Sequence, residues 1–253
     1  MNFQPKLCFI IPVYDHSTNL SVFIKELAKK KFPIILVDDG SHNACKKIMM
    51  RLDQEIECIT LKSHILNLGK GAAVKTGLKE AKKSGFSHAL QIDADGQHNI
   101  KDIPRFILEM NKQPNALVSG FPSYDKTVPK LRYYSRYLTH LWVWINSLSK
   151  DIKDSMCGFR IYPVEQSCLL LSTQKIGDRM EFDSEFIVRW HWLGKPIVQI
   201  QTRVIYPEDG ISHFDLFRDN LLISWMHARL FFGMLKRLPN LLKQKFKIYE
   251  SRK

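Results

Sequence analysis

The sequence has no long uncharged apolar run, no paired cysteine motif and no linker-like tract. No apolar stretch approaches the roughly 20 residues that a membrane-spanning helix needs, so we expect that the chain does not cross a bilayer. The five cysteines are odd in number and share no CxxC spacing, which is typical of reduced thiols in a cytoplasm. The N-terminus lacks the basic and apolar regions of a signal peptide. We therefore expect one non-exported domain with a C-terminal appendage.

The charge of the chain is strongly positive and unevenly distributed. The 253 residues contain 38 Lys or Arg and 25 Asp or Glu, a formal net charge of +13. The segment Lys236–Lys253 alone holds seven Lys or Arg and one Glu. Such a patch favours nucleic acid, anionic lipid or a phosphorylated substrate as partner. Because no nucleic-acid-binding motif is present, we expect no nucleic-acid partner.

Short β-rich runs alternate with helical patterns in the first 120 residues. This alternation predicts an α/β fold with a mainly parallel central sheet flanked by helices, in which ligands bind beyond the carboxyl ends of the strands. The predicted strands are Leu7–Val13, Ile34–Asp38, Cys58–Leu61, Ala89–Asp93 and Ala116–Ser119. The predicted helices between them are Leu20–Lys31, Ala44–Leu52, Gly71–Ser84 and Ile103–Lys112.

The pattern after Gly120 is mostly helical. Helices are predicted over Tyr133–Leu148, Val164–Leu171 and Phe182–Leu193, and a strand over Ile197–Tyr206. Two further segments, His213–Leu235 and Pro239–Ile248, look helical, amphipathic and rich in Phe, Leu and Trp. We therefore divide the chain into a catalytic domain, residues 1–212, and an amphipathic basic C-terminal segment, residues 213–253.

The segment Asp93-Ala-Asp-Gly-Gln-His98 places two carboxylates at the end of an apolar run. Residues at i and i+2 project to the same side of an extended backbone, so Asp93 and Asp95 can converge on one cation. Two oxygen ligands at the mouth of a strand suit Mg²⁺ or Mn²⁺ that also binds the phosphates of a substrate. The alternative is a polar turn, because Asp-Gly is a common turn dipeptide.

The segment Gly69-Lys70-Gly71-Ala72-Ala73-Val74-Lys75-Thr76 suggests a phosphate loop at first sight. Val74 stands where a Walker sequence needs Gly and where a dinucleotide fingerprint needs a small residue, so neither motif is present. The segment instead predicts a helix N-terminus whose backbone N–H groups, with Lys70, approach an anion. The alternative is that the glycines only turn the chain into the helix.

Five motifs together carry a resemblance to a known family. They are Phe9-Ile-Ile-Pro-Val-Tyr14, Ile35-Leu-Val-Asp-Asp-Gly-Ser41, Asn67-Leu-Gly-Lys-Gly-Ala-Ala73, Asp93-Ala-Asp-Gly-Gln-His98 and Cys157-Gly-Phe-Arg160. The motifs come in the order, and nearly at the spacing, of family 2 glycosyltransferases. The chain from residue 7 to about 213 resembles that family, most closely its dolichyl-phosphate mannosyltransferase-like branch. The resemblance implies a GT-A fold, a nucleotide-sugar donor, a divalent metal and inversion at the anomeric carbon.

The resemblance also implies roles for individual residues on the donor side. Pro12, Tyr14 and Asp15 would lie near the base and ribose, and Asp38 or Asp39 would read the uracil or guanine edge. Asp93 would face the ribose or donor sugar, Asp95 and Gln97 would hold the metal on the diphosphate, and Lys70 is a further candidate for diphosphate contact. For Asp38 and Asp39 the alternative is a turn that closes a strand.

On the acceptor side, the resemblance points to a loop with Asp154 and Arg160 near donor sugar and acceptor, and to Glu185 on a helix. Asp183 lies two positions from Glu185, so the two carboxylates cannot share a helical face and only one is expected to reach the site. The acceptor decides whether a base is needed. A phosphate monoester arrives ionised, whereas a hydroxyl acceptor would need Asp154, Asp183 or Glu185 as general base.

The chain departs from this branch at the end of the matching region. The segment Pro207-Glu-Asp-Gly-Ile-Ser-His213 has Pro207 where the branch has Arg and His213 where it has Lys. Loss of fixed cations weakens the case for a polyprenyl-phosphate acceptor, although Arg203, Lys195 or Arg218 could compensate. His213 is a candidate for phosphate contact or for completing the metal site, and the alternative is a cap or core histidine.

We therefore expect an inverting, metal-dependent hexosyltransferase that moves a sugar from a UDP- or GDP-sugar to a lipid-linked acceptor, in envelope glycan or glycolipid synthesis. We expect it to lie peripherally on the cytoplasmic face of the cell membrane, because apolar residues of the C-terminal segment are bordered by cations. The alternative for that segment is a helical pair that packs on the catalytic domain or forms a homodimer. The functional alternatives are a nucleotidyltransferase and a non-catalytic nucleotide-sugar-binding scaffold.

Overall fold

The central sheet organises the molecule. The computed structural model describes residues 5–123, 130–204 and 215–250, and for residues 130–135, 244 and 246–250 it describes the backbone alone. Seven strands in these ranges form one sheet in the order β3-β2-β1-β4-β6-β5-β7. They are β1 (Leu7–Val13), β2 (Ile34–Asp38), β3 (Ile59–Ser63), β4 (His88–Gln91), β5 (Leu117–Ser123), β6 (Arg160–Pro163) and β7 (Ile197–Arg203).

The central strands are parallel and buried on both faces. Every residue of β1 and β2 is buried, as their unbroken apolar sequences predict for parallel strands covered by helices. β1 pairs in parallel with β2 and β4, and β5 pairs in parallel with β7. β6 runs antiparallel to its neighbours β4 and β5. The carboxyl ends of β1, β2 and β4 therefore meet at one edge of the sheet.

Helices cover the two faces of the sheet with separate hydrophobic clusters. Because side chains alternate along a strand, Phe9 and Ile11 of β1 enter one cluster and Cys8 and Ile10 enter the other. The first face is covered by α1, α2 and α4, and the second by α3, α5, α6, α7 and α8. The helices are α1 (Leu20–Ala28), α2 (Asn43–Glu55), α3 (Lys70–Lys83), α4 (Ile103–Lys112), α5 (Lys130–Ser147), α6 (Val164–Thr173), α7 (Phe182–Trp192) and α8 (Leu216–Glu250).

The predicted α/β architecture is confirmed, with differences at element ends. β4 stops at Gln91, so Asp93 and Asp95 lie in the following turn and not on the predicted extended strand. β6 was not predicted, because a strand of four residues that ends in Pro163 gives almost no periodic signal. Of the predicted strand Ile197–Tyr206, the last two residues lie outside the described residues.

The C-terminal segment forms one helix where two were predicted. α8 continues through Pro239 to Glu250. A proline removes one helical hydrogen bond and has a helical φ, so it does not always end a helix. Met226, Leu230, Met234 and Leu241 of α8 are buried in the same cluster as α7. One face of α8 therefore belongs to the hydrophobic core on the second face of the sheet.

Candidate active site

The sequence motifs meet at the carboxyl edge of β1, β2 and β4. The backbone N–H of Asp39 donates to the carbonyl of Val13 at 2.8 Å, which joins the ends of β1 and β2. Lys70 at the start of α3 reaches Asp93 after β4, with Nζ 2.8 Å from Oδ2. Gly158 lies against this ion pair. Motifs far apart in the sequence thus line one site, as the strand-end argument predicts.

Asp38 and Asp39 are both buried, but their carboxylates differ. Asp39 accepts four hydrogen bonds from the segment that follows β3, from His64 Nδ1 (2.7 Å), Asn67 Nδ2 (3.1 Å), Leu68 N (3.0 Å) and Gly69 N (2.8 Å). In Asp38, Oδ1 accepts from Ser41 N at 2.8 Å, whereas the buried Oδ2 has no partner among the described residues. Asp39 thus anchors a loop, and Asp38 keeps an acceptor for a ligand.

The loop after β1 stands beside Asp38. Pro12 is buried in β1, and Tyr14 and Asp15 are half-buried just beyond it. Asp15 has a φ of +50°, a conformation that L-residues adopt rarely and mostly at functional or turn positions. Its carboxylate accepts from the backbone N–H of His42 at 2.7 Å and lies 2.5 Å from the His42 ring Nδ1. The predicted base-binding residues are therefore together at the ends of β1 and β2.

Lys70 lies between two carboxylates. Its Nζ is 2.8 Å from Asp93 Oδ2 and 2.9 Å from Asp183 Oδ2 in the first turn of α7. Burial alone would lower the pKa of Lys70, but the two carboxylates raise it above its ordinary value. Burial alone would raise the pKa of Asp93, but Lys70 and His98 hold it below its ordinary value. Lys70 and Asp93 are therefore both charged at neutral pH.

A cavity of about 90 Å³ contains the predicted metal-binding residues. Asp93, Asp95, Gln97 and His98 line it, and Asp95 Oδ1 accepts from the backbone N–H of Gln97 at 3.0 Å. His98 stacks on Phe159, and its buried Nδ1 has no partner among the described residues. Among the described residues, no three His, Cys, Asp or Glu side chains are close enough together to bind a metal ion by themselves. The donor set fits Mg²⁺ or Mn²⁺ held by one or two side chains together with substrate phosphates.

Asp154 is held in place by neighbours on both sides. Oδ1 accepts from the backbone N–H groups of Met156 (2.9 Å) and Cys157 (2.7 Å), and Oδ2 accepts from Arg136 Nε (2.7 Å). His140 Nε2 lies 3.5 Å from Oδ2. Burial alone would raise the pKa of Asp154, but Arg136 above all holds it below its ordinary value. This geometry favours a role in orienting Arg136 over the role of general base, for which Asp154 is one of three candidates if the acceptor is a hydroxyl group.

Arg160 and Glu185 have structural surroundings. Arg160 is fully buried and donates to the backbone carbonyls of Asp183 (2.7 Å) and Ser155 (2.6 Å), so a bound donor would not reach it. Glu185 is fully buried and accepts from Arg189 (2.7 Å), from Arg229 of α8 (3.0 Å) and from the backbone of Gly177 (2.9 Å). As their spacing predicts, Asp183 and Glu185 face different partners, and Asp183 is the one beside Lys70.

A second cavity, of about 250 Å³, lies next to Asp154. It is lined by three cationic side chains and by aromatic rings, and Lys153 Nζ is 4.8 Å from the centroid of the Phe121 ring. Arg136 lines this cavity and also the cavity of Asp95. The lining residues are Phe121, Pro122, Arg136, Tyr137, His140, Trp144, Lys150, Lys153 and Asp154.

Sequence reasoning missed several residues of the site. His98 stood in a quoted motif without a role, and its position five residues after Asp93 was the available signal. Arg136 gave no signal, because only the packing of α5 brings it to Asp154. Lys150 and Lys153 lie within four residues of Asp154, and that proximity was the available signal. His213, a candidate for metal or phosphate, lies outside the described residues.

The fold defines the class of protein. The chain is similar to glucosyl-3-phosphoglycerate synthase from Mycobacterium tuberculosis, solved with Mn²⁺ and UDP-glucose. The TM-score is 0.64 at 14% identity, over 92% of this chain and 79% of that chain. The fold is therefore GT-A.

The family model named "Glycosyl transferase family 2" matches residues 8–174, and the chain belongs to that family. It is 28% identical to the dolichyl-phosphate beta-glucosyltransferase of Dictyostelium discoideum, over 90% of this chain and 75% of that protein. It is also 28% identical to the UDP-N-acetylglucosamine–dolichyl-phosphate N-acetylglucosaminyltransferase of Methanococcus voltae, over 80% of this chain and 87% of that protein. The resemblance predicted from the motifs is confirmed.

Proposed function

We propose that this protein transfers a sugar from a UDP- or GDP-sugar to a polyprenyl phosphate, with inversion at the anomeric carbon. The observation that carries the proposal is that Arg136 lines both cavities. One cavity holds the carboxylates Asp93 and Asp95, and the other holds cations and aromatic rings. A donor diphosphate with its metal suits the first cavity, and an acceptor with an anionic head and an apolar chain suits the second.

The donor side uses the strand-end residues. Asp38 Oδ2 offers a buried acceptor for an N–H of the nucleobase, since a buried carboxylate oxygen without a partner is costly. Tyr14 and Asp15 flank it, and Asp93 faces the ribose or sugar. Asp95 and Gln97 would hold Mg²⁺ or Mn²⁺ on the diphosphate, and the ion would neutralise the charge that develops on the leaving nucleoside diphosphate. The names of the relatives favour UDP-sugars as the first donors to test.

The acceptor side favours a phosphate over a hydroxyl group. A phosphate monoester is already ionised near neutral pH, because its second pKa is near 6, and needs no general base. That agrees with Asp154 and Glu185, whose oxygens are occupied by hydrogen bonds. Arg136, Lys150 and Lys153 supply the cations that Pro207 and His213 do not. In the reaction, a phosphate oxygen forms a bond to the anomeric carbon while the bond to the diphosphate breaks.

An exposed apolar face lies beside the acceptor cavity. On α5 it consists of Leu138, Leu141, Trp142 and Ile145, and on α8 of Leu221, Trp225, Phe232 and Leu235. Trp142 joins the two helices, since its ring centroid is 6.0 Å from that of His227 and 6.4 Å from that of Phe231. Tyr137, half exposed on α5, lines the cavity next to this face.

This apolar face supports peripheral binding to an anionic membrane. Lys236, Arg237, Lys243 and Lys245 of α8 add positive charge near the apolar residues, which suits an anionic interface. None of the helices in the described parts of the chain is long and apolar enough to span a bilayer. The free cysteines Cys8, Cys45, Cys58, Cys157 and Cys168 agree with the cytoplasmic face, where thiols stay reduced.

The test uses a matched pair of acceptors. The protein is incubated with Mn²⁺, a panel of UDP-, GDP- and CDP-sugars, and either a short polyprenyl phosphate or the same polyprenol without phosphate. We expect the phosphate alone to become glycosylated, with inverted anomeric configuration, as measured by mass spectrometry and NMR. Transfer to the alcohol but not the phosphate would overturn the acceptor class.

The same experiment addresses the functional alternatives. The family match decides against a nucleotidyltransferase. A non-catalytic scaffold would be stabilised by a nucleotide sugar in a thermal-shift assay, since a ligand of the native state raises stability, but would give no product with any donor.

A further inference from the structure

We propose that Lys70 is a positioning residue that fixes Asp93 and Asp183 relative to each other, and that it is not a ligand of the donor diphosphate. The proposal rests on the proposed transfer reaction and revises the role expected for Lys70 from the sequence. It assigns Asp183 to the wall of the donor site, where Lys70 holds its carboxylate beside Asp93.

The hydrogen bonds of Lys70 carry the proposal. An ammonium group has three N–H donors. Lys70 Nζ lies 2.8 Å from Asp93 Oδ2 and 2.9 Å from Asp183 Oδ2. The side chain is only 19% exposed. Two of the three N–H donors thus face carboxylates at contact distance, so the charge of Lys70 is already neutralised by protein groups and is not left over for a diphosphate.

The backbone around Lys70 is packed too closely for this bridge to shift. Gly69 has a φ of +112°, and a Cβ there would lie 2.5 Å from the carbonyl oxygen of Asp178. A Cβ at Gly71 would lie 2.5 Å from Phe182 Cβ. The backbone N–H of Ala72 donates to the same Asp178 carbonyl at 2.8 Å. The starts of α3 and α7 are therefore packed together, which keeps the backbones of Lys70 and Asp183 close and leaves the orientation of the carboxylate to the side-chain contact.

The third side of the bridge is closed by Gly158. A Cβ at Gly158 would lie 2.5 Å from Asp93 Oδ2 and 2.6 Å from Lys70 Nζ. Glycine at this position allows the loop before β6 to cover the ion pair. A side chain at position 158 would therefore collide with the ion pair of Lys70 and Asp93 and displace it.

Asp183 depends on Lys70 for its orientation. Its Oδ1 has no hydrogen-bond partner among the described residues, and Arg160 NH1 is 3.7 Å away. The Arg160 guanidinium donates instead to the Asp183 backbone carbonyl. Without Lys70, the Asp183 carboxylate would keep only the longer 3.7 Å contact with Arg160 among the side-chain cations of the described residues, and the like charge of Asp93 would repel it.

The experiment compares Lys70→Met with Lys82→Met. Lys82 is a matched control, because it lies on the same helix and forms an ion pair with Glu165 of α6 at 3.0 Å, away from α7 and the bridge. For Lys70→Met we expect kcat to fall on the order of 100-fold, as for a misplaced active-site group. We expect its Kd for bare UDP or GDP, measured by calorimetry with Mn²⁺, to stay within about twofold of the wild-type value, because in this proposal Lys70 makes no contact with the diphosphate. Lys82→Met should keep the wild-type kcat.

A nucleotide affinity that drops about tenfold or more in Lys70→Met would overturn the proposal, because it would make Lys70 a diphosphate ligand. The double variant Lys70→Met/Asp183→Asn supplies a readout that needs no turnover. We expect its melting temperature to exceed that of Lys70→Met, because the unpaired charge is removed, and additive effects would contradict the bridge. If the wild-type protein transfers no sugar, the proposed function fails. The melting temperatures of the variants still test whether Lys70 bridges Asp93 and Asp183.

Discussion

Asp38 and Asp39 are adjacent in sequence, but their carboxylates have different surroundings. The Asp39 carboxylate accepts hydrogen bonds from the loop after β3. Asp38 Oδ2 is buried and has no hydrogen-bond partner among the described residues. The same contrast separates Glu185, with both oxygens in close ion pairs, from Asp183, whose Oδ1 has no hydrogen-bond partner among the described residues and only a 3.7 Å contact with Arg160. At the residue scale, a buried carboxylate oxygen without a hydrogen-bond partner marks a candidate for ligand binding, and a fully bonded carboxylate marks a structural role.

The first prediction separates Asp38 from Asp39. Asp38→Asn should weaken binding of the bare nucleoside diphosphate about tenfold, the loss expected when one hydrogen bond to a charged group is removed. Asp39→Asn should instead lower the free energy of unfolding by about 2–4 kcal/mol, because it weakens several charge-assisted hydrogen bonds. Calorimetry and urea unfolding measure the two effects. If both variants bind the nucleotide as tightly as wild type, neither Asp38 nor Asp39 belongs to the donor site.

The second prediction concerns the metal. Asp95→Asn should abolish Mn²⁺-dependent donor binding and turnover while the melting temperature stays close to wild type, because Asp95 lies in a half-buried turn and not in the core. The control is Asp151→Asn, which changes an exposed carboxylate outside both cavities. Thermal-shift titration with UDP-sugar, with and without Mn²⁺, gives the readout. Metal-dependent stabilisation that persists in Asp95→Asn would show that other residues bind the ion.

At the scale of elements, α8 has two functionally different faces. Its inner face packs on α5 and α7 and includes Arg229, which pairs with the buried Glu185. Its outer face exposes Leu221, Trp225 and Phe232. The sequence alternatives of a membrane-binding segment and a helix packed on the catalytic domain are therefore compatible, because each uses one face of the same helix.

The third prediction concerns His227 on the inner face of α8. Burial lowers the pKa of His227 to about 4, and its Nδ1 is 3.3 Å from Asn146 Nδ2 of α5. The folded protein keeps this histidine neutral, whereas the unfolded chain binds a proton below about pH 6.5. The contribution to stability is therefore complete above pH 6.5 and is lost as the pH falls from 6.5 to 4, by about 3 kcal/mol.

The pH dependence is measured by urea unfolding between pH 8 and 4. His227→Gln should flatten the slope between pH 6.5 and 4 relative to wild type. A residual slope of the same sign is expected, because burial also lowers the pKa values of His88, His140 and His191. An unchanged slope in His227→Gln would mean that His227 is protonated in the folded protein.

At the scale of the whole molecule, apolar surface and positive charge are combined. The exposed apolar face of α5 and α8 lies beside the cavity proposed for the acceptor, and the C-terminal part of α8 is basic. In the proposed function, a membrane in contact with this face would place the lipid phosphate near Arg136, and the acceptor would enter from the bilayer side.

The fourth prediction tests membrane binding. The full chain should bind anionic vesicles and detach progressively as salt rises, since each Lys or Arg near the surface contributes about 1 kcal/mol that salt screens. Trp225→Ser/Phe232→Ser should weaken binding in vesicle sedimentation while the melting temperature is kept. As an inner-face control, Leu230→Ala should cost about 2–5 kcal/mol of stability. If the wild-type protein does not bind vesicles and forms a dimer that Trp225→Ser/Phe232→Ser disrupts, the outer face of α8 binds a second copy of the chain instead.

The sequence determined the layout of this protein. Alternating apolar runs and helical patterns were enough to predict the parallel sheet, and the position of the motifs at strand ends was enough to predict one site at its carboxyl edge. These inferences succeed because strand burial and side-chain alternation are local properties of the chain. The family resemblance followed from the order of five short motifs, and the family model confirms it.

The tertiary structure decided which partner each charged residue meets. Sequence patterns could not show that Lys70 bridges Asp93 and Asp183, that Glu185 pairs with Arg229 of α8, or that Arg136 reaches Asp154. These contacts join residues from 18 to more than 100 positions apart, as between Lys70 and Asp183, and depend on how helices pack on the sheet. Electrostatic roles are set by distance and burial, and for such pairs packing alone fixes both.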